Sequence, residues 1–264
     1  MSSAGPFVAG GAAVLTGREH PHLGGVAVKS AAATLAVGMT AGAMSKFIPP
    51  TDPNEDAGAV VHGRRADLLV VADAHFGSEA AELALGHVLA RLGDDPPPAD
   101  LATDDLVALA FGAGVAIQRW AADPACPNPG TATTLAFALV TDDAVQWASF
   151  GDSCVVVTCG DDGQRLDTPE RAYLGQAFEL EEVQRLLTLG RYERRQGDCI
   201  VVGTDGLADA IEPAWPTMAS LVSAYVERSY GAAAIAESLI DLTLQREAAD
   251  AVTVAVASGY APAG

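Results

Sequence analysis

Short, continuous apolar runs rich in β-branched residues most constrain what this chain can fold into. Residues 67–72 (DLLVVA) and Cys199–Gly203 (CIVVG) are too short for helices, so they predict strands buried on both faces. Apolar residues at helical spacing predict helices over 78–92 and 100–121. The order of elements is strands, a helix pair, hairpin-linked strands, a short connection, a strand, a second helix pair and a last strand. This order indicates a mixed α and β fold without regular βαβ alternation.

No segment between these elements has the length of an interdomain linker, so one domain is expected. We assign it to residues 26–258, with a loose tail or edge strand over 1–25 and a short tail over 259–264. The first basic residue is Arg18, so the start lacks the charged region of a secretory signal. The cysteines form no CxxC pair, and the longest uncharged apolar stretch is short for a membrane span. These features predict a cytoplasmic protein without a membrane span.

The charge is strongly acidic, with 34 Asp and Glu against 15 Lys and Arg, a formal net charge of −19 over 264 residues. This field disfavours binding to nucleic acid or anionic membranes, which require clustered basic residues. The acidic residues have two interpretations. They can form a solvated surface that keeps the protein soluble, or some can converge to hold divalent cations, which prefer oxygen ligands. Composition alone does not choose between the two.

The positions of several acidic residues favour the second interpretation. They lie at the ends of predicted strands or in the adjoining loops: Glu55, Asp56, Asp73, Asp152, Asp205 and Asp250. A single aspartate at such a place fits an ordinary turn. Several on one rim of a sheet would repel one another, and cations would relieve that repulsion.

The same segments resemble, in order, the motifs of the metal-dependent protein serine/threonine phosphatases of type 2C. The resemblance covers about residues 50–257. The segments are Asn54-Glu55-Asp56-Ala57 (NED), Val71-Ala72-Asp73-Ala74-His75-Phe76-Gly77 (VxDGHGG), Gly130-Thr131-Ala132-Thr133-Thr134 (SGSTA), Ala148-Ser149-Phe150-Gly151-Asp152-Ser153 (ANxGDSR), Val201-Val202-Gly203-Thr204-Asp205-Gly206-Leu207 (LxSDGLxD) and Asp250-Ala251-Val252-Thr253 (DNxT). Each motif alone is weak, and the ordered set is specific.

The resemblance implies an α+β fold, a four-layer α-β-β-α sandwich of two antiparallel sheets flanked by helices. It implies hydrolysis of phosphoserine and phosphothreonine in proteins by a metal-bridging hydroxide, without a covalent intermediate. The implied cofactors are two or three Mn²⁺ or Mg²⁺ ions, of which two share the hydroxide and the third binds more weakly. His75 would be the general acid, and Asp56 would orient metal-bound water. The metal ligands implied are Glu55, Asp56, Asp73, Ala74 through its carbonyl, Asp152, Asp205 and Asp250.

The chain departs from the family pattern at several places. Ala74 replaces a glycine, and an alanine would be strained there if φ were positive. Thr51 stands where the family usually has a phosphate-binding arginine, a role that Lys46 or a distant arginine would have to fill. Ala251 replaces an asparagine. The segment 160–198, where the family has a mobile flap, is short and carries a predicted helix over 180–189.

Two other functions remain open at this stage. The first is a catalytically weak or inactive phosphatase fold that serves as a binding or regulatory module. The second is a serine hydrolase, suggested by Gly151-Asp152-Ser153. All five histidines precede Ser153, whereas that class of hydrolase has its histidine near the C-terminus, and no GxSxG elbow is present.

Overall fold

Two antiparallel sheets form the centre of the computed structural model, which describes residues 11–45, 51–96 and 99–258. In spatial order, the first sheet consists of β1 (Ala12–Thr16), β4 (Asp56–His62), β5 (Asp67–His75), β7 (Leu135–Val140), β8 (Ala144–Phe150) and β11 (Thr188–Glu193), with the short β6 (Ala132–Thr133) paired to the end of β5. The second sheet consists of β10 (Asp162–Arg165), β9 (Cys154–Cys159), β12 (Cys199–Gly203), β13 (Val252–Ala257), β3 (Leu35–Thr40) and β2 (Ala27–Ala32).

Helices cover the outer face of each sheet. The first sheet packs against α1 (Glu79–Leu92), α2 (Thr103–Ala121) and α3 (Leu180–Leu186). The second packs against α4 (Asp205–Ile211), α5 (Trp215–Glu227) and α6 (Ala232–Gln245). A third apolar cluster fills the space between the sheets. The expected four-layer sandwich is therefore confirmed.

The side chains of β5 explain why its sequence is continuously apolar. Leu68 and Val70 pack in the cluster beneath α1 and α2, whereas Leu69 and Val71 pack between the two sheets. Successive side chains of a strand point to opposite faces, and both faces of this strand are buried. The position of β5 near the middle of its sheet holds its last residues rigidly at one rim.

The helix predicted over 180–189 is confirmed over Leu180–Leu186, and only its last three residues are wrong. The helix ends at Leu186, Leu187 is extended with ψ of 119°, and β11 follows and pairs with β8. In this pairing Gly190 lies against the ring of Trp147, where an added Cβ would approach the ring to 2.9 Å. Pairing with β8 at the edge of the first sheet therefore overrides the local helical pattern of residues 187–189.

Among the described residues, no helix combines the length and apolar character needed to cross a membrane.

A substitution in β4 tests how closely the two sheets approach. A Cβ on Gly58 would lie 2.5 Å from Thr253 Cγ2 and 3.1 Å from Val37 Cγ2, both in the opposite sheet. We expect Gly58→Ala to lower the free energy of unfolding by about 1–3 kcal/mol through overpacking, measured by chemical denaturation. Gly86→Ala is the matched control, because that α1 position is exposed and open, and alanine there should stabilise the helix by up to about 1 kcal/mol. A Gly58→Ala protein as stable as the wild type would contradict the close packing.

Candidate active site

A pair of buried carboxylates forms the base of the site. Asp56 begins β4, Asp73 lies near the end of β5, and the antiparallel register places the two residues directly opposite each other. Both are almost fully buried, with 1% and 3% of their surface exposed. Side chains in such cross-strand pairs lie about 5 Å apart at Cβ, and like charges there are destabilising. The sheet therefore holds two negative groups together at its rim.

Thr204 connects this pair to the second sheet. Its hydroxyl donates to Asp56 Oδ2 at 3.0 Å and accepts the backbone N–H of Thr253 at 3.0 Å. The Thr204 N–H donates to the Thr253 carbonyl, also at 3.0 Å. Because Thr204 immediately precedes α4, these bonds fix Asp205, the first residue of that helix, beside the first sheet.

Gly206 allows α4 to approach the segment that carries Asp250. A Cβ at this position would lie 2.1 Å from the Ala251 carbonyl oxygen, a distance that no side chain permits. The absence of a side chain at this position, directly after Asp205, therefore allows α4 to pack against the residues just before β13. This close approach brings Asp205 and Asp250 to the same rim.

The charges at this rim act strongly on Asp205. Burial raises its pKa first, and the charges of Asp250, Asp152 and Asp56 raise it further, against a lowering by its hydrogen bond with Asp73. Together they raise the pKa of Asp205 to about 7. The structure thus brings together five aspartates that the sequence scatters over about 200 positions, from Asp56 to Asp250.

The carboxylates fit divalent cations in their chemistry. The Oδ1 atoms of Asp152 and Asp205 are buried and find no hydrogen-bond partner within the described part of the chain. Hard carboxylate oxygens of this kind are preferred ligands of Mg²⁺ and Mn²⁺. Over residues 11–45, 51–96 and 99–258, however, no group of three or more carboxylate, imidazole or thiol side chains lies close enough together to hold a metal ion. The donors are assembled, and the close coordination geometry is not preformed.

A cavity of about 410 Å³ opens at this rim. Its walls include Glu55, Asp56, Asp73 and Asp250, together with apolar side chains such as Leu23. Asp152 and Asp205 do not line it. The cavity therefore gives solvent and small solutes access to one side of the carboxylate cluster.

Glu55 binds backbone groups of the surrounding loops. Its Oε1 accepts the N–H groups of Thr51, Asp52 and Gly77 at 3.2, 3.3 and 2.5 Å. It therefore fixes the turn after His75 to the segment before β4. Thr51 contributes only its backbone to this network and brings no positive charge to the site.

Arg18 contacts this network through Asp52, and its charge is already balanced by carboxylates. Its guanidinium pairs with Asp52, Glu79 and Glu82 and donates to the Ser78 hydroxyl. Surrounded by three carboxylates, it does not offer an uncompensated charge to phosphate. Lys46, the other candidate for the missing arginine, lies outside the described residues.

Arg165 holds the loop that carries Asp152. Its guanidinium donates to the Asp152 carbonyl at 3.0 Å and to Asp167 Oδ2 at 2.9 Å. Asp167 is buried and also accepts the Val155 N–H at 2.7 Å. The ion pair thus fixes the backbone around Asp152, and Arg165 contacts this residue through its carbonyl.

Tyr173 is a site residue that the sequence analysis missed. Its ring meets His75 edge-on, with ring centroids 4.5 Å apart. The adjacent Leu174 exchanges backbone hydrogen bonds of 2.9 and 2.7 Å with Thr133, which ties this segment to the end of β5. Burial raises the pKa of Tyr173, and the charges of nearby aspartates, Asp152 foremost, raise it further. The sequence feature that could have identified Tyr173 is its position as an aromatic residue within the short segment 160–198.

Ala74 is accommodated without strain. It continues β5 and pairs with Thr133, and its N–H donates to the Glu55 carbonyl at 3.3 Å. Among the described residues other than glycine, a positive φ occurs at Phe76, Ser229 and Glu247 and not at Ala74. The strained position of this turn is therefore Phe76, with φ of 63°, a conformation that costs about 1–2 kcal/mol outside glycine.

The serine hydrolase alternative has no structural support. Ser153 is fully buried, and its hydroxyl is bonded to Thr134 Oγ1 at 2.7 Å. Thr134 in turn accepts the Asp73 N–H at 3.1 Å. Ser153 is thus a packing and hydrogen-bonding residue beneath the carboxylate pair.

A family model described as protein phosphatase 2C matches residues 48–242. The chain belongs to the protein phosphatase 2C family. The expected enzyme class, a phosphoprotein phosphatase, is confirmed at this level. The match ends before Asp250, so that residue joins the site through the structure, in the loop that α4 packs against.

Solved structures agree on the fold. A bacterial serine phosphatase is 16% identical with a TM-score of 0.67, covering 92% of this chain and all of that one. The catalytic domain of the serine/threonine phosphatase PstP, solved with two manganese ions, is 24% identical with a TM-score of 0.64, covering 89% and 99%. Stp1 from Staphylococcus aureus is 18% identical with a TM-score of 0.67, covering 90% and 97%. No curated protein sequence matches the chain.

The pKa of Asp205 predicts how stability depends on pH in metal-free protein. Since the pKa rises from 3.8 to about 7 on folding, the folded state keeps a proton that the unfolded chain releases in this window. The resulting stability is present below pH 3.8 and is lost as the pH rises towards 7. We expect the melting temperature in a chelator to fall between about pH 5 and about pH 7.5.

Asp205→Asn should flatten this dependence, because asparagine does not ionise. Asp94→Asn, at an exposed position remote from the cluster, is the control and should leave the slope unchanged. Equal slopes in the wild type and Asp205→Asn would contradict the assigned pKa.

Proposed function

We propose that this protein hydrolyses phosphoserine and phosphothreonine in proteins with the help of two or three Mn²⁺ or Mg²⁺ ions. The observation that carries the proposal is the convergence of aspartates from both sheets at one rim, with the buried Oδ1 atoms of Asp152 and Asp205 lacking partners among the described residues. Burying several carboxylates next to one another lowers the free energy of unfolding, so the arrangement does not serve stability. Cations at this place would turn a destabilising cluster into a binding site.

Similarity to solved phosphatases supports the choice of metal and substrate. PstP, whose fold this chain shares, is a serine/threonine phosphatase that was solved with two manganese ions. The family membership of this chain supports a phosphoprotein substrate. The same choice follows from the carboxylate donors, which suit Mn²⁺ and Mg²⁺ rather than softer metals.

Each residue of the cluster has a proposed task. Asp73 would contact both cations, and Asp205 and Asp250 would complete the first position. Glu55 and the Ala74 carbonyl would serve the second, Asp152 a third, and Asp56 would orient water. When bound, divalent cations would supply Lewis-acid chemistry, lowering the pKa of a bound water and neutralising charge on the phosphoryl oxygens.

His75 is the proposed general acid. It ends β5 two residues after Asp73, is partly exposed at the rim, and contacts the ring of Tyr173. From this place its imidazolium would donate a proton to the serine or threonine oxygen as the bond to phosphorus breaks. The edge-on contact with Tyr173 would keep the ring oriented for this transfer.

Metal dependence is the first test. The purified protein should hydrolyse a phosphoserine peptide on addition of Mn²⁺, and Asp205→Asn should lower kcat/KM by about a hundredfold or more and weaken Mn²⁺ binding in calorimetry. Asp94→Asn is the control and should behave as the wild type. If the wild type binds no Mn²⁺ and shows no turnover, the protein is instead a phosphatase fold that acts as a binding module.

The role of His75 is tested by the leaving group. A serine alkoxide needs a proton from a general acid, whereas p-nitrophenolate is already a good leaving group. His75→Gln should therefore lower kcat on a phosphoserine peptide by about a hundredfold, with a much smaller effect on p-nitrophenyl phosphate. Equal losses on both substrates would contradict the assignment.

A further inference from the structure

Phe76 combines two unfavourable features at the mouth of the site. Its φ of 63° lies in the left-handed region, and 68% of its surface is exposed. A glycine, which the related motif has at this place, would be relaxed here and would expose no apolar surface. Folding therefore gains nothing from a phenylalanine at this position. Strained residues of this kind concentrate where a ligand is held.

The surrounding hydrogen bonds prevent the backbone from relaxing. His75 on one side is paired with Ala132 in β6. On the other side, the Gly77 N–H donates to Glu55 and the Gly77 carbonyl accepts the Thr131 hydroxyl at 2.8 Å. Residue 76 is therefore held with its side chain projecting from a rigid turn.

The other positive φ values in the described residues have ordinary explanations. Ser229 and Glu247 lie just after the ends of α5 and α6, where a left-handed residue commonly terminates a helix. Both carry polar side chains. Phe76 ends no helix, and its ring lies beside that of His75, with centroids 6.5 Å apart. The strain at this residue thus coincides with the candidate active site.

We propose that Phe76 determines substrate specificity by contacting an apolar side chain next to the phosphorylated residue of the substrate. The inference rests on the proposed function, because it takes the phosphoryl group to lie at the aspartate cluster beside His75. An exposed aromatic ring one residue from His75 then meets the neighbouring residues of a bound peptide. Burying apolar surface between the two would favour an aliphatic neighbour over a polar one.

The experiment compares Mn²⁺-dependent hydrolysis of two phosphoserine peptides that differ only in having leucine or serine at the positions flanking the phosphoserine. The wild type should prefer the leucine peptide in kcat/KM by about tenfold. Phe76→Gly should bring the ratio of the two close to one, and Phe76→Asn, which also tolerates a positive φ, should do the same. The melting temperature of Phe76→Gly should be equal to or above that of the wild type, since the strain is removed.

Ser229→Gly is the matched control, since it relieves the same kind of strain far from the site. It should keep the wild-type preference between the peptides. An unchanged preference in Phe76→Gly, or a clearly lower melting temperature that shows a packing role, would overturn the inference. An absence of turnover in the wild type on either peptide would instead reject the proposed function, so the two failures are distinguishable.

Discussion

Repulsion between buried carboxylates at one rim is the constraint on which the site depends. Asp56 and Asp73 face each other across two central strands, and Asp205 is brought to them from the other sheet. Neutral donors limit the cost of this arrangement, among them the Thr204 hydroxyl on Asp56. Burial, and after it the charges of Asp250, Asp152 and Asp56, still raise the pKa of Asp205. Such a cluster is suited to an occupant with a concentrated positive charge.

This arrangement also decides where attraction for phosphate would come from. The chain has an excess of acidic residues, and Arg18, close to the site, is compensated by three carboxylates of its own. Over the described residues, the side chains lining the cavity include no lysine or arginine. Bound cations would therefore supply the positive potential, and affinity for the phosphoryl group should follow their occupancy closely.

Much of the fold and of the cluster could be predicted from the sequence. Strands such as β5 can be recognised in the sequence because both of their faces are buried and their residues are therefore continuously apolar. An aspartate directly after such an apolar run can then be placed at the end of the strand. Contacts set by tertiary packing could not be predicted in this way. The strand β11 depends on β8, and the placement of Tyr173 depends on backbone bonds to Thr133. The positive φ of Phe76 arises from hydrogen bonds made by its neighbours.

The position of β13 has a consequence for how the protein is made. This strand follows every other described strand and helix in the sequence, yet it lies between β12 and β3 in the middle of the second sheet. The second sheet therefore cannot be closed between β12 and β3 before residues 252–257 have been synthesised. Asp250 arrives with that strand, and Thr253 is the residue that secures Thr204 over Asp56. Completion of the sheet and assembly of the carboxylate cluster thus depend on the same strand and follow the synthesis of all other described elements.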